Sequence, residues 1–405
     1  MMNLLRLLQK DLILRCFMGY WKEQAMEIEA RGFSDIDKYV CSECVEDNYL
    51  KQWIDENTTE RGKCDYCGKI HSVVLMTDLM YVLMNSIQKY YGYAVEYLGW
   101  DSREGGYQGT TYDSVSVISH FSEGISFNQQ IIDDITEAIG YDKCWCERDP
   151  YGMTEREICE YSWQSFSDLV KYKNRYFFIQ EENNQHCEKY TPLDILYIIG
   201  QQAKELKIVK EMPKNSVFYR VRIFSDKDTV VLDGANLGAP PSKLAKADRM
   251  SARGISCFYA SDNIETSKEE VLSDDSNGSI VVGEFQNVHT LKYLDLTAIN
   301  NIQIPSIFDI DKYSEREAIL FFQALNKELT RPISELHEIE YVPTQIFAEY
   351  FKLVQKLDGI KYNSSKNKNG TCYVLFFNNE QCIENKKNIL EADVCQLKLV
   401  KAYNL

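Results

Sequence analysis

The chain has 405 residues, 44% of them hydrophobic and 27 of them tyrosine. That is more than one ordinary core accommodates, so two domains, at most three, are expected. A formal net charge of −16 would repel a phosphate backbone and argues against DNA or RNA as a partner. Any site for an anionic small molecule must therefore supply its own positive charge.

Residues 1–30 read as helix, with Leu4, Leu5, Leu8 and Leu12 at helical spacing and Arg6, Lys10, Asp11 and Arg15 between them. A helix packed on its own domain is expected there, because a membrane-surface anchor calls for more Lys and Arg on the polar face. No run approaches the ~18–20 apolar residues of a bilayer span, and no secretory leader is visible. The expectation is a cytoplasmic chain with no membrane partner and reduced cysteines. A cysteine-paired segment at 41–67 precedes a helix at 77–97 and a Gly-rich loop at 105–109. Residues 128–139 read as helix stopped by Gly140, and 155–176 as an aromatic-rich helix. The polar run 180–185 reads as a linker, and 192–211 as a connecting helix with Pro192 in its first turn. After Pro213 the texture changes. Short β-branched or aromatic runs at 216–223, 279–285, 291–296 and 371–377 read as strands, with helical patterns at 265–272, 314–328 and 343–357 among them. The fold class is α+β: a mainly helical domain over 1–190, a connecting helix over 191–212, and a mixed α/β domain over 213–405.

Thirteen cysteines are unevenly spread. Cys41, Cys44, Cys64 and Cys67 form CxxC–x19–CxxC with Gly68 directly behind, the two-knuckle spacing that places four thiolates on one tetrahedral Zn2+. Four protein ligands fill the coordination sphere, so this zinc is expected to be structural. Cys144, Cys146, His186 and Cys187 make a poor second set: CxC is awkward geometry, and buried free cysteines explain them more simply. The five histidines are scattered, which gives no support to a Ser-His-Asp or Cys-His constellation, and no phosphate-binding glycine loop is present.

The second half carries the chemistry-bearing residues. Arg220 and Arg222 are two apart in a strand and share a face. Arg249 follows in Asp248-Arg249-Met250, then Tyr259, then Glu270 eleven residues on, then Ser364 in Asp358-Gly359-Ile360-Lys361-Tyr362-Asn363-Ser364-Ser365. Arginines, an aromatic ring, a carboxylate and a serine suit an anionic ligand with a planar base and a ribose. Guanidinium forks grip phosphate, tyrosine stacks on a flat ring, and a carboxylate stabilises positive charge at an anomeric carbon. Taken alone, such residues more often serve as solvated edge or salt-bridge partners.

In order and spacing these motifs resemble the RES domain over about residues 213–400: Tyr-Arg at 219–220, Arg-Met-x-x-x-Gly-x-x-x-Phe-Tyr at 249–259, Glu270, and Asp-Gly-Ile-x-Tyr-x-Ser-Ser at 358–365. Thr344-Gln345 matches the Thr-Gln segment that precedes the family serine. The cysteine knuckle, with Ser162-Trp163-Gln164-Ser165-Phe166, resembles the HEPN/RES N-terminal domain found ahead of RES domains. Arg253 stands where a small residue is usual and Asn363 where proline is common, which bears on substrate grip and on the turn before Ser364. The Arg-x4-His signature of HEPN ribonucleases is absent, Arg331 to His337 being one residue too long.

The resemblance implies an ADP-ribosyltransferase-like fold and cleavage of the nicotinamide–ribose bond of NAD+, with ADP-ribose passed to phosphate or water. By residue, Arg220 and Arg249 are expected to bind the pyrophosphate, Tyr259 to stack on a ring, Glu270 to stabilise the ribosyl cation, and Ser364 to bind ribose or carboxamide. It further implies a toxin or defence role held in check by an antitoxin or other inhibitory protein, and it is compatible with a homo-oligomer. Two alternatives remain open: a catalytically silent NAD or ADP-ribose binding module, and a transferase that modifies protein.

Overall fold

The computed structural model describes residues 22–58, 60–126, 128–178, 190–224, 231–272, 278–331, 335–382 and 396–404. The leucine-spaced segment 4–12, the expected linker 180–185, His186 and Cys187 lie outside them. The chain divides into two compact units, Met1–Gly152 with Pro305–Arg316, and Met153–Ile304 with Glu317–Leu405.

The first unit is mainly helical. Helices Asn48–Asn57, Met76–Tyr90, Ser114–Ile125 and Gln129–Ile139 surround a core that includes Phe33, Leu50, Leu83, Phe121, Ile135 and Trp145. Their ends follow local chemistry. Asp47 caps the first helix by accepting from the Tyr49 and Leu50 amides, and Asn128 caps the fourth through the Gln130 amide. Gly140, at φ 94°, closes that helix in a conformation that favours glycine. Two small three-stranded antiparallel sheets and the antiparallel pair Trp100–Asp101 with Gly106–Tyr107 complete the unit. Tyr39–Cys41, Ile70–Leu75 and Glu60–Lys63 carry the cysteine segment, and Tyr91–Tyr93, Cys144–Glu147 and Tyr112–Asp113 form the other. The helix expected over 77–97 is thus shorter: it ends at Tyr90, where the chain enters the second sheet.

The second unit is built on an eight-stranded mixed sheet in the order Leu397–Asn404, Ser279–Asn287, Val217–Phe224, Phe258–Ser261, Thr371–Leu375, Gly359–Asn363, Leu291–Asp295, Val209–Met212. Leu291–Asp295 and Gly359–Asn363 pair in parallel; the other neighbours are antiparallel. Side-chain alternation gives each face a core. Phe218, Phe258, Phe285, Tyr373 and Leu375 lie in one apolar cluster. Leu294, Ile360 and Val374 lie in the other, with Trp163, Phe166, Ile195, Ile199, Phe322, Phe347 and Phe351 from helices. Helices Glu155–Tyr172 and Pro192–Glu205 start on capping boxes, Thr154 with Glu157 and Thr191 with Asp194. The second ends at Glu205 rather than running on to 211, because Lys207 takes φ 54° and Val209–Met212 pairs with Leu291–Leu294.

Candidate functional site

One irregularity in the sheet creates the site. Val217–Phe224 pairs with Ser279–Asn287 along its whole length, but with Phe258–Ser261 only at Tyr219↔Ser261. The two strands part beyond that pair. The opening is a cavity of about 480 Å3 lined by Arg220, Arg222, Lys246, Asp248, Ser251, Tyr259 and Val271, among others. Arg220 reaches across the split: its Nη1 donates to the Tyr259 carbonyl, and its guanidinium lies 5.5 Å from the centre of the Phe258 ring. Arg222 Nη2 donates to the Gly238 carbonyl at 2.6 Å. Burial lowers the pKa of both arginines, Arg220 to about 10, with repulsion from Arg222 adding to the effect.

Tyr259 is fixed by its hydroxyl, which accepts from the Met250 amide at 3.2 Å and hydrogen-bonds Ser251 Oγ at 3.0 Å. Burial, with Asp248 next in effect, raises its pKa well above the usual range, so the ring presents a neutral phenol. Asp248 is open on its cavity side, yet the surrounding protein raises its carboxyl pKa by desolvation. The Arg249 amide and the charges of Arg249 and Arg220 oppose that shift.

Glu270 and Ser364 meet beside this cavity. Helix Ile264–Val271 is capped by Asn263 and tied to the arginine strand by the Val221 amide, which donates to Ser267 Oγ at 3.0 Å. Its last turn presents Glu270, whose Oε1 accepts from Ser364 Oγ and, at 3.6 Å, from the Cys372 thiol. Ser364 Oγ in turn accepts from the Lys366 and Asn367 amides at 3.2 and 2.9 Å. The turn after Asn363 therefore forms without proline. Cys372 is pushed up to about 12 by burial and then by the charge of Glu270, so it remains a thiol donor. Glu269, one position earlier, is exposed.

The cysteine segment of the first unit is a separate construction. Cys41 Sγ lies 3.6 Å from Cys44 Sγ and 3.7 Å from Cys67 Sγ, and Cys44 to Cys64 is 3.6 Å. Four ligands at ~2.3 Å from a tetrahedral zinc stand about 3.8 Å apart, so the donor set fits a closed metal site. Gly68 at φ 72° and the Gly68 amide donating to the Cys64 carbonyl at 2.9 Å form the tight turn behind it. Among the described residues this is the group that meets the spacing for a metal ion. Cys144 and Cys146 instead sit in a strand, Cys146 buried against Ala94 and Leu98.

Two family models match the chain, and the first of them runs past Gly152, where the first compact unit breaks off, to include the helix Glu155–Tyr172 of the second. The HEPN/RES N-terminal domain 1 model matches residues 57–184, and the RES domain model matches residues 218–397. The chain carries a HEPN/RES N-terminal domain 1 followed by a RES domain. Among solved structures it is similar to a chain of the M. tuberculosis MbcT–MbcA toxin–antitoxin complex, at 12% identity and a TM-score of 0.27, over 51% of this chain and 91% of that one. No curated protein matches it.

Within the RES domain the structure brings Arg220 and Tyr259 into direct contact, and likewise Glu270 and Ser364. Arg249 goes elsewhere. Its Nη1 donates to the carbonyls of Leu329 and Arg331 at 2.7 and 2.8 Å, at the end of the helix Tyr313–Thr330, and it is not among the residues lining the cavity. Its backbone is nonetheless part of the site's frame. Thr344 Oγ1 donates to the Arg249 carbonyl, and Gln345 Nε2 to the carbonyls of Asp248 and Ser251 at 2.8 and 3.3 Å. The Thr-Gln pair thus clamps the turn that carries Asp248 and Ser251. Arg253 points outward, 3.6 Å from Glu338. Sequence reasoning passed over Asp248, Lys246 and Cys372. Asp248 adjoins Arg249 and carries no pattern of its own, and Cys372 sits in an apolar strand whose approach to Glu270 depends on pairing with Gly359–Asn363.

Proposed function

We propose that this RES domain cleaves NAD+ at the nicotinamide–ribose bond. The observation that supports it is the placement of a hydrogen-bonded Glu270–Ser364 pair beside a cavity that holds Arg220 and Tyr259. In this reading Arg220 meets a phosphate oxygen, providing the cation that a chain of net charge −16 lacks overall. Tyr259, with its hydroxyl tethered, offers a fixed ring face to a base. Nicotinamide bears a positive charge on its ring nitrogen and leaves as a neutral molecule, taking the C1′–N electron pair. The carbon becomes oxocarbenium-like, as in glycoside hydrolysis. Glu270, oriented by Ser364 and Cys372 before any charge develops, stabilises that cation electrostatically. Phosphate oxygen or water then forms the new bond to C1′, water giving up a proton in doing so.

An enzyme that removes NAD+ depletes the cell that makes it, which fits a toxin or defence effector restrained by an inhibitory protein. The four-cysteine group is assigned to structural zinc. The reading is tested by incubating the full-length protein with NAD+, with and without phosphate, and identifying products by mass. Free nicotinamide with ADP-ribose 1″-phosphate or ADP-ribose is expected. NAD+ recovered intact while bound would leave only a binding module, and label on protein would make it a transferase.

A further inference from the structure

The split in the sheet contains more positive charge than one motif arginine explains. Arg220 and Arg222 alternate onto one face of Val217–Phe224, and each keeps a buried Nε–H with no hydrogen-bond partner. Buried donors are almost always satisfied, so two under-used guanidinium groups lining one cavity call for an explanation. Among the described residues neither guanidinium forms an ion pair; the nearest protein acceptors they use are two backbone carbonyls. Lys246, exposed, lines the same cavity. Against these three cations stands one lining carboxylate, Asp248. The wall is firmly built. A side-chain carbon on Gly238 would lie 2.4 Å from the Gly234 carbonyl and 2.5 Å from Cys382 Cβ. Asn379 Nδ2 holds the carbonyls of Ala235 and Ala239 at 2.9 and 2.7 Å. The Gly238 carbonyl that aims Arg222 is therefore fixed in place.

We propose that Arg220 and Arg222, with Lys246 at the rim, form a subsite for a phosphoryl anion, and that Arg222 rather than Arg249 is the second guanidinium of the phosphate grip. An anion between the two arginines relieves their mutual repulsion and offers charge-assisted acceptors to the two guanidinium groups. The anion is either the diphosphate of a dinucleotide or free phosphate serving as acceptor. For that choice the proposal rests on the NAD+ reading; the anion site itself does not.

The test is calorimetric titration of the full-length protein, at constant ionic strength, with ADP, inorganic phosphate and adenosine. Wild-type protein is expected to bind a phosphate-bearing probe more tightly than adenosine. Arg222→Gln should weaken that binding by about tenfold to a hundredfold, the range of one charge-assisted bond. Lys246→Gln should cost about threefold, as a single exposed charge does, and it decides the matter should Arg222→Gln fail to fold. A response confined to ADP identifies the dinucleotide diphosphate; a response to inorganic phosphate identifies the acceptor. Wild-type affinity in both variants, or no advantage of either phosphate probe over adenosine, overturns the subsite. Nicotinamide release is measured on the same samples, so an intact anion site without release would count against NAD+ cleavage alone.

Discussion

Ser364 donates its hydroxyl hydrogen to Glu270 and receives two backbone N–H groups on the same oxygen. The serine is thus oriented by its own loop before it orients the carboxylate. A preorganised carboxylate acts mainly on the charge that appears in the transition state. Glu270→Gln keeps the shape and the acceptor but deletes the charge, so kcat for nicotinamide release should fall ~10²–10³-fold with little change in binding. Exposed Glu269 is the control, and Glu269→Gln should be near neutral. Equal activity in both variants would remove Glu270 from the mechanism.

The loop bearing Ser364 comes close to the Glu270 helix because position 370 has no side chain. A Cβ on Gly370 would fall 2.1 Å from Thr266 Oγ1 and 2.5 Å from Thr266 Cγ2, and the Gly370 carbonyl accepts from the Ser364 amide at 3.0 Å. Gly370→Ala should push the loop off the helix and lower kcat toward the level of Ser364→Ala, with the melting temperature reduced by less than unfolding requires. Adding Thr266→Ala removes the two closest atoms and should restore part of the rate. No recovery in the double variant would mean that the loss has another origin.

Much of this was legible in the sequence, and the reasons are local. Gly140 behind residues 128–139, Pro192 in the first turn of its helix and the aromatic-rich pattern from 155 announced three helices, and in the structure Asn128, Thr154 and Thr191 cap them with neighbours in the chain. The CxxC pairs named four residues that the fold gathers within 4.8 Å. Residues 114–125 gave no helix signal, since Ser-Val-Ser-Val-Ile alternates like a strand. Burial of Val117, Ile118, Phe121 and Ile125 decides that segment instead. Strands Cys144–Glu147 and Leu397–Asn404 depend on partners far away in the chain. The motif spelled out Arg249 but could not say where its side chain points. That depends on the carbonyls of Leu329 and Arg331, eighty residues on.

Gln345 and Thr344 shape the cavity without lining it themselves, because they hold the backbone of the turn at 248–251. Gln345→Leu conserves bulk and removes the donor. It should raise KM for NAD+ about tenfold through misplacement of Asp248 and Ser251, leaving kcat less affected. Steady-state kinetics separates the two constants. A drop in kcat alone, at unchanged KM, would place the clamp's effect on the chemical step instead.

Glu328 is half-buried at the edge of the core of the same unit, accepting from Trp163 Nε1 at 2.9 Å. Burial raises its pKa, against the pull of Trp163, Lys171 and Arg331. A carboxyl whose pKa is higher folded than unfolded binds its proton more tightly in the folded state. Ionised at neutral pH it therefore costs stability, and the cost is relieved as pH falls through the folded pKa toward the unfolded value of about 4.3. Glu328→Gln keeps an acceptor for Trp163 and should melt above wild type at pH 7.5, with the difference shrinking on acidification. A difference that stays constant or grows toward pH 4.5 would show that the charge is not what burial penalises.

The four-cysteine group yields a prediction about folding rather than catalysis. Cys41 and Cys64 are fully buried, and their cluster packs with Val73 between the strands Tyr39–Cys41 and Ile70–Leu75. Four thiols this close and without a metal would bring desolvation and mutual repulsion on ionisation, whereas one zinc neutralises and cross-links them. Freshly purified protein should contain one zinc per chain by elemental analysis. Cys64→Ser should lose the metal and unfold the sheet of the first unit, seen as faster proteolysis within residues 39–75. Strong chelation of the wild type should do the same reversibly, with zinc restoring protection. The RES domain builds its core from other residues, so the metal-free protein should keep its second unit protected from protease. Protein purified without zinc yet equally protease-resistant over 39–75 would make the four cysteines a reduced packing cluster instead of a metal centre.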